Sequence, residues 1–591
     1  MNQIVYYDTE TDSQHAPYAR LKKLGLLWEE SGDTEIFNYP WSTEEGEYIQ
    51  KVFSGKYVTI GFNNKNYDNL VLFNHDINVS EVDNHDVILM MKAACPGLPA
   101  YGLKFLNWYL LGDPHWPEYE MESAGYAASQ VSEYLQPYLE HDLVQHRALY
   151  LYALKAIEKC NAGVCDAYML DCRMGLPLQQ MMFDGGLHLD KTKLESDVER
   201  LKKRRVQWLN RGNILSNGRV KNVNSTKQMG LYLDEEGFDL KLSKSGELSV
   251  KKKDLEDIRS SQPVAQCCYQ VKDIDSSLKY FNNYLKAIAG TITDRGEGWI
   301  PTAFSISGAG TRRFTSSSLY KLNFQNPNKA AKSVQIVPPG WLGWFIDSTQ
   351  VENVVHIYES KDTARRIAYE ADENWSEYVW LCNQILGGDR TKEELDSIKS
   401  PLVPHWSVYK QYKTVKLMLN FGSGVELFCE ITGLPKKIGT RIFREIKEAC
   451  PAIDGLQDDV KERLSKNGYV QDVFGHIYTG SIDKAYKVLA YLIQGTGTAS
   501  LPKAQIRANY DVSEQLNRSC SEQVSVICGT THDENSGRIR LDIGEKMIYD
   551  TLKQFMYNMT KKFEHKFDNI PLRAKLYTTT TNAADITEIK L

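Results

Sequence analysis

No apolar run in these 591 residues approaches the ~20 needed to cross a bilayer, so a membrane partner is not expected. The first residues, MNQIVYYDTETD, lack the basic, apolar and small-residue succession of a secretory signal. None of the 11 cysteines forms a CxxC pair, which removes the usual signature of zinc or dithiol chemistry. Scattered cysteines of this kind suit a reducing compartment, and a cytoplasmic location is expected. An excess of positive charge is also missing: 70 Lys and Arg face 76 Asp and Glu, a net of −6. A polyanionic partner would therefore need a local basic surface. Arg200-Leu201-Lys202-Lys203-Arg204-Arg205 and Lys251-Lys252-Lys253 are candidates, although for either alone a solvated helix face or turn is the preferred reading. Disorder is excluded by 42% hydrophobic against 25% charged residues. The length exceeds one ordinary core, so two or more domains are expected.

What is present is a set of placed carboxylates. Ile4-Val5-Tyr6-Tyr7 reads as a strand that delivers Asp8-Thr9-Glu10. Strand side chains alternate, so Asp8 and Glu10 share a face while Thr9 points away. "IGFNNKNYDNLVLF" gives a second strand, then Asn64, Tyr67 and Asp68 entering an apolar helical run. "YLQPYLEHDLVQHRALYLYAL" places Tyr138 and Asp142 four residues apart, on one helix face. Near the end, "HDENSGRIRLDIG" sets a bare Asp533-Glu534 pair after the hydrophobic Val524–Cys528 run. A hairpin turn accounts for those residue types, but not for two adjacent carboxylates that repel unless a cation joins them.

In this order, Asp8/Glu10, the NxxYD at Asn64–Asp68 and the YxxxD at Tyr138–Asp142 resemble the three motifs of the DEDDy 3′–5′ exonucleases, a ribonuclease-H-like fold. "HDVILMMKAACPG" and "YGLKFLNWYLLG" resemble the middle of such domains. The resemblance implies two divalent metals held by Asp8, Glu10, Asp68 and Asp142, with Tyr138 orienting the attacking water and Asn64 touching DNA. Oxygen ligands suit hard cations, and two of them about 4 Å apart serve in-line phosphodiester hydrolysis.

Past residue 170 the chain resembles the family A DNA polymerases. "WLGWFIDSTQVENVVHIY" looks like motif A, which implies Asp347 on both metals, the Ser348 carbonyl on one, and Gln350 and Glu352 beside the nucleotide. Glu352 aligns with the steric gate that blocks a 2′-hydroxyl. His532-Asp533-Glu534 looks like motif C, so strands from distant parts of the chain would bring Asp347 and Asp533 together, with His532 near the primer end. "WSVYKQYKTVKLMLNFGSGVELF" resembles motif B: Lys413, Leu417 and Phe421 share a helix face and would meet the phosphates, sugar and templating base. The family's arginine one turn earlier falls on Tyr409, so Lys410 or another cation takes that work. An alternative register puts Lys416 on the phosphates; Lys413 is preferred for its spacing from Phe421-Gly422.

Further matches imply DNA contacts. "GTRRFTSSSLYKLNFQNPNK" supplies Arg313, Gln325 and Asn326, with Arg312 where the family has Gly. "AYLIQGTGT" supplies Gln494, with Ala490 and Tyr486 replacing the usual Asn and Arg. Asn224, Thr226 and Lys227 lie in a thumb-like segment in which Ser225 or Thr226 would also serve as an ordinary N-cap. Arg and Gln suit minor-groove acceptors, which every base pair carries.

The expected fold class is an α/β and α+β multidomain chain, a ribonuclease-H-like exonuclease followed by a right hand. The expected division is exonuclease 1–170, thumb 171–300, palm 301–360 and 486–591, and fingers 361–485. The implied function is template-directed DNA polymerisation with 3′–5′ proofreading, using two Mg²⁺ per site with Mn²⁺ as substitute. Primer-template DNA and dNTPs are the implied partners, with helicase, primase and single-strand binding protein alongside a monomer. The length and the short stretch before Asp8 suggest a phage replicative enzyme without a 5′ nuclease, acting in the host cytoplasm. Three alternatives compete: a single-subunit RNA polymerase, against which Glu352 speaks; a nuclease whose inactive polymerase half merely binds DNA; and a non-enzymatic clamp, which would need none of these carboxylates.

Overall fold

The computed structural model describes all residues except 1–2, 114–131, 239, 241–245, 247, 257, 292–295, 297, 317–318, 404–405, 421–423 and 433; side chains of 132–134 are also left aside. The first sheet has the order β3-β2-β1-β4-β5. β1 (Ile4–Thr11) runs antiparallel to β2 (Leu21–Trp28), which pairs with β3 (Thr34–Asn38). On its other side β1 runs parallel to β4 (Val58–Gly61), itself parallel to β5 (Asn84–Asp86).

Val5, Tyr6 and Tyr7 are all fully buried, so β1 is covered on both faces, as the unbroken apolar run at its start requires. Tyr6 packs with Leu27, Ile60 and Leu143 on one face; Val5 and Tyr7 pack with Leu24, Leu26 and Phe53 on the other. After β4 comes the short helix α1 (Asp68–Phe73), and the first face is crossed by α2 (Ser132–Ile157). α3 (Ala162–Cys172) leads out of this half, with Asn161 capping it by accepting from the Val164 amide.

α4 (Lys191–Leu215) starts after Asp190, whose side chain accepts from the Lys193 amide, and packs along α5 (Pro263–Gly290). Ahead of α4 stand a π-turn, Gln180–Gly185, and a short strand, Leu187–Leu189. Two glycines at 185–186 separate those pieces, and an added Cβ on Gly185 would stand 2.8 Å from the Cys528 Cα.

The second sheet is antiparallel throughout. It contains β6 (Trp341–Thr349), β7 (Ser525–Thr531), β8 (Glu534–Arg540), β9 (Arg573–Thr579) and β10 (Thr587–Ile589), in the order β7-β8-β6-β9-β10. Trp344 and Ile346 are wholly buried on its rear face, with the Trp344 ring 4.7 Å from that of Phe555. Phe345 and Asp347 alternate onto the front.

Between the strands of this sheet lie α6 (Val351–Ser360), α7 (Thr363–Ala371), α8 (Glu377–Leu386) and α9 (Val408–Asn420). α8 and α9 belong to a separate core with Leu381, Val415, Phe428 and Ile446. α10 (Leu501–Cys520) runs behind the second sheet.

One buried junction joins the two halves. Asp171, at the end of α3, is fully buried and meets Lys503 of α10 at 2.6 Å and His476 at 3.4 Å. It also accepts from the Ser307 hydroxyl at 3.2 Å, with Arg312 4.0 Å away. The Lys503 ammonium, with His476 and Arg312 beside it, holds the Asp171 carboxyl far below the usual carboxylate range despite its burial. Arg312 adopts φ +62°, a conformation glycine takes freely, and its guanidinium donates to the Lys92 carbonyl in the first half. In return the Lys92 ammonium donates to the Ser307 carbonyl at 2.8 Å.

Candidate active sites

The first acidic group forms where α2 crosses β1. Asp8 is paired with Gly25 on β2. A Cβ added to Gly25 would lie 2.8 Å from Leu143 Cδ1 and 2.9 Å from Leu139 Cγ. Only a glycine lets the helix lie this close, and the same turn of α2 carries Tyr138 and Asp142 over the strand. Carboxylate oxygens of Asp8, Glu10 and Asp142 all come within 4.8 Å of one another. Asp68 approaches from the start of α1 and accepts from both the amide and the hydroxyl of Thr9.

The electrostatics show the strain of this assembly. Burial pushes Asp8 well up, helped by the charges of Asp68, Asp142 and Glu10. Glu10 is pushed up to about 8 by burial and by Asp142 and Asp68. Burial raises Asp68 and Asp142 each to about 7, although Thr9 and Tyr138 respectively hydrogen-bond their charged forms. One Asp142 oxygen is buried without a hydrogen-bond partner among the described residues. Oxygen donors so spaced, reluctant to ionise together and with an unmatched acceptor, fit a divalent cation.

The second group is built on a two-residue hairpin. Thr531 pairs with Glu534, leaving His532 and Asp533 as the turn, with His532 at φ +59°. The turn reading and the carboxylate reading thus both describe the segment. Asp347 of β6 pairs directly with Glu534 of β8, and the Ser348 amide donates to the Asp533 carbonyl at 3.3 Å. Burial and the Asp533 charge push Asp347 up to about 6; burial raises Glu534 to about 7, with Asp347 and Asp533 adding to it. The Lys332 ammonium opposes both shifts. These three carboxylates do not all lie within 4.8 Å of one another, so this group is looser than the first.

Around that hairpin sit several of the expected contacts. His532 Nε2 is 3.3 Å from Asn326 Oδ1. Arg313 pairs with Glu352 at 3.1 Å and donates to Thr498. Gln494 is half-buried nearby in sequence, its carbonyl accepting from Thr498 at 2.6 Å. On α9, Lys413 is exposed and Leu417 half-buried, whereas Phe421 lies outside the described residues. Lys416 is fully buried and salt-bridged to Glu377 at 3.0 Å, which removes it as a phosphate ligand.

Other expectations meet a different arrangement. Asn64 is fully buried and donates to the Tyr7 hydroxyl and to Asn84, within a network that includes Asn69. Its amide serves the sheet, not a DNA strand. Gln350 is the N-cap residue of α6; its amide donates to the Trp375 carbonyl and its oxygen accepts from Asn353 at 3.2 Å. That occupies both ends of the side chain and turns it from the nucleotide. Gln325 is buried. Asn224 donates to Asp275 at 2.8 Å, while Thr226 and Lys227 are exposed. Ser225 is the N-cap, accepting from the Gln228 amide at 3.4 Å.

The POL domain of Pol1 from M. smegmatis, solved in complex with DNA primer-template and dNTP, is similar over 99% of this chain and 96% of that one, with a TM-score of 0.76 at 15% sequence identity. The chain has the fold of a Pol I polymerase domain. No family model and no curated protein sequence matches it. Within this polymerase fold, sequence reasoning missed Gly25, Lys332, Asp171 and Glu377. Gly25 and Asp171 carry no motif signal, since only their distant neighbours give them meaning. Lys332 had one usable signal, a cation nine residues before the β6 strand that carries Asp347.

Proposed function

We propose that the chain is a family A, phage-type replicative DNA polymerase with a 3′–5′ proofreading exonuclease. The observation that carries this reading is the meeting of Asp347, Asp533 and Glu534 at the β6–β8 pair, in a chain that shares a polymerase-domain fold along its length. For the first half, the order β3-β2-β1-β4-β5 with acidic residues at the end of β1 supports a ribonuclease-H-like exonuclease. The division proposed is exonuclease 1–170, thumb 171–300, split palm 301–360 and 486–591, and fingers 361–485.

Divalent cations, once bound, would supply the charge that activates the attacking oxygen and steadies the departing one. Asp347 and Asp533, with the Ser348 carbonyl, would hold them in the second half; Asp8, Glu10, Asp68 and Asp142 would hold them in the first. The protein's own part is placement. Tyr138, hydrogen-bonded to Asp142, is set to orient a water. His532 and Asn326 present polar groups at the hairpin tip, where a primer end would lie. Lys413 offers the triphosphate a cation, and Glu352 closes the space beneath the sugar. Gln494, Thr226 and Lys227 are left for primer-template contacts.

The test is separation of the two activities. Asp533→Ala should abolish primer extension, by about a thousandfold or more, while single-strand degradation persists. Asp8→Ala should do the reverse. Loss of both activities in either variant, or extension that survives Asp533→Ala, would refute the assignment.

A further inference from the structure

Beneath the proposed nucleotide site lies a buried set of charges drawn from four helices. Lys416 faces inward from α9, three residues after Lys413. Its ammonium meets Glu377 Oε1 at 3.0 Å and also donates to Asn420. Arg365 of α7 reaches the same Glu377 oxygen at 2.8 Å. It further bonds Asp362 at 2.6 Å, and both Ser360 and His356 Nδ1 at 3.0 Å. The side chains of Lys416, Glu377 and Arg365 are 0% exposed. His356 sits one turn beyond Glu352 on α6, hence on the same face. It stays neutral, because burial, Lys416 and Arg365 all disfavour its protonation.

The residue after Glu377, Tyr378, meets the exposed Lys413 instead of the buried charges. The Tyr378 ring carries the Lys413 ammonium 5.3 Å from its centroid and meets Tyr409 edge-on at 6.3 Å. Its hydroxyl is pushed up by burial first, and by the charges of Glu377 and Glu352. One turn of α8 therefore joins the buried charges, through Glu377, to the lysine that would meet the phosphates, through Tyr378. A cation over an aromatic face is attracted by the ring's negative π-face, which biases its placement. The buried salt bridges below fix the ring itself.

We propose that Glu377 and Tyr378 are positioning residues of the incoming-nucleotide site, setting where the Lys413 ammonium stands. This rests on the polymerase reading. Neither residue belongs to a motif that the sequence singles out, and neither supplies a metal ligand. Glu377 acts through Lys416 and Arg365, Tyr378 through Lys413.

The test uses the full chain in primer extension, with the Michaelis constant for dNTP, kcat and thermal unfolding read together. The paired substitution Glu377→Leu with Lys416→Met removes one charge of each sign, and buried ion pairs so replaced usually leave stability intact. The pair should melt like the unmodified protein yet raise the KM for dNTP about tenfold, with kcat changed less than about threefold. A pair that restores both melting temperature and KM would show that the charges only pack the fingers, and would overturn the proposal. Should the pair fail to fold, Tyr378→Ala decides, since it leaves every buried charge in place. It should raise the KM similarly, and an unchanged KM would overturn the proposal. Failure of the unmodified chain to extend any primer would overturn the polymerase reading, and this inference with it.

Discussion

Glu10 keeps its proton up to about pH 8, and Asp68 and Asp142 to about 7, because burial and mutual repulsion penalise their charged forms. In the unfolded chain the same groups ionise near pH 4. The folded state therefore binds more protons than the unfolded state across that interval, and stability falls as pH rises through it. His146, lowered to about 3 by burial, and His356 act in the opposite sense, but their effect is complete by about pH 6.5. Between about pH 6.5 and 8, in chelator, the melting temperature should decline. Saturating Mg²⁺ or Mn²⁺ should flatten the decline, adding about 2.7 kcal/mol at a hundred times the dissociation constant. A flat profile in chelator would contradict the carboxylate assignment. At the same scale, Glu352→Ala should raise ribonucleotide incorporation about tenfold or more and leave Arg313 without its carboxylate partner. Competing dNTP and rNTP incorporation reads this directly.

At the scale of elements, the approach of α2 to β1 depends on the missing side chain of Gly25. Gly25→Val should push Leu139 and Leu143 outward, costing about 1–3 kcal/mol and dragging Asp142 from Asp8 and Glu10. Single-strand degradation should fall about a hundredfold while extension stays within about twofold, in parallel assays of one preparation. Much of these elements is legible in the sequence. Alternation fixes which face Asp8 and Glu10 share, and helical spacing puts Tyr138 over Asp142. The hydrophobic 524–528 run before a polar pair marks both a hairpin and its carboxylates. What stays hidden is partner choice across the fold. Asn64 has the look of a polar contact residue, yet Tyr7, Asn69 and Asn84 enclose it. Lys413 and Lys416 are equivalent as residues, and only the position of Glu377 on another helix decides which of them faces solvent.

Across the whole molecule, the two acidic groups draw on separate segments, 8–142 and 347–534, so each should fail alone when its own ligands change. DNA affinity should fall steeply with salt despite the net charge of −6, because contacts to phosphates release counterions. A logarithmic plot of binding constant against salt with no slope would argue against a phosphate-tracking surface. The Asp171 junction adds a constraint on how the activities come apart. A fragment beginning after α3 would keep Lys503 and Arg312 in a dry interior while discarding the anion they face. Removing one partner of such a set costs about 3–5 kcal/mol, a large part of a domain's stability. Such a fragment should aggregate or melt early, where Asp8→Ala in the intact chain should not. If the proposed reading holds, a version without the first acidic group has to be made by point substitution, because amputation leaves the remaining part with a wound it cannot close.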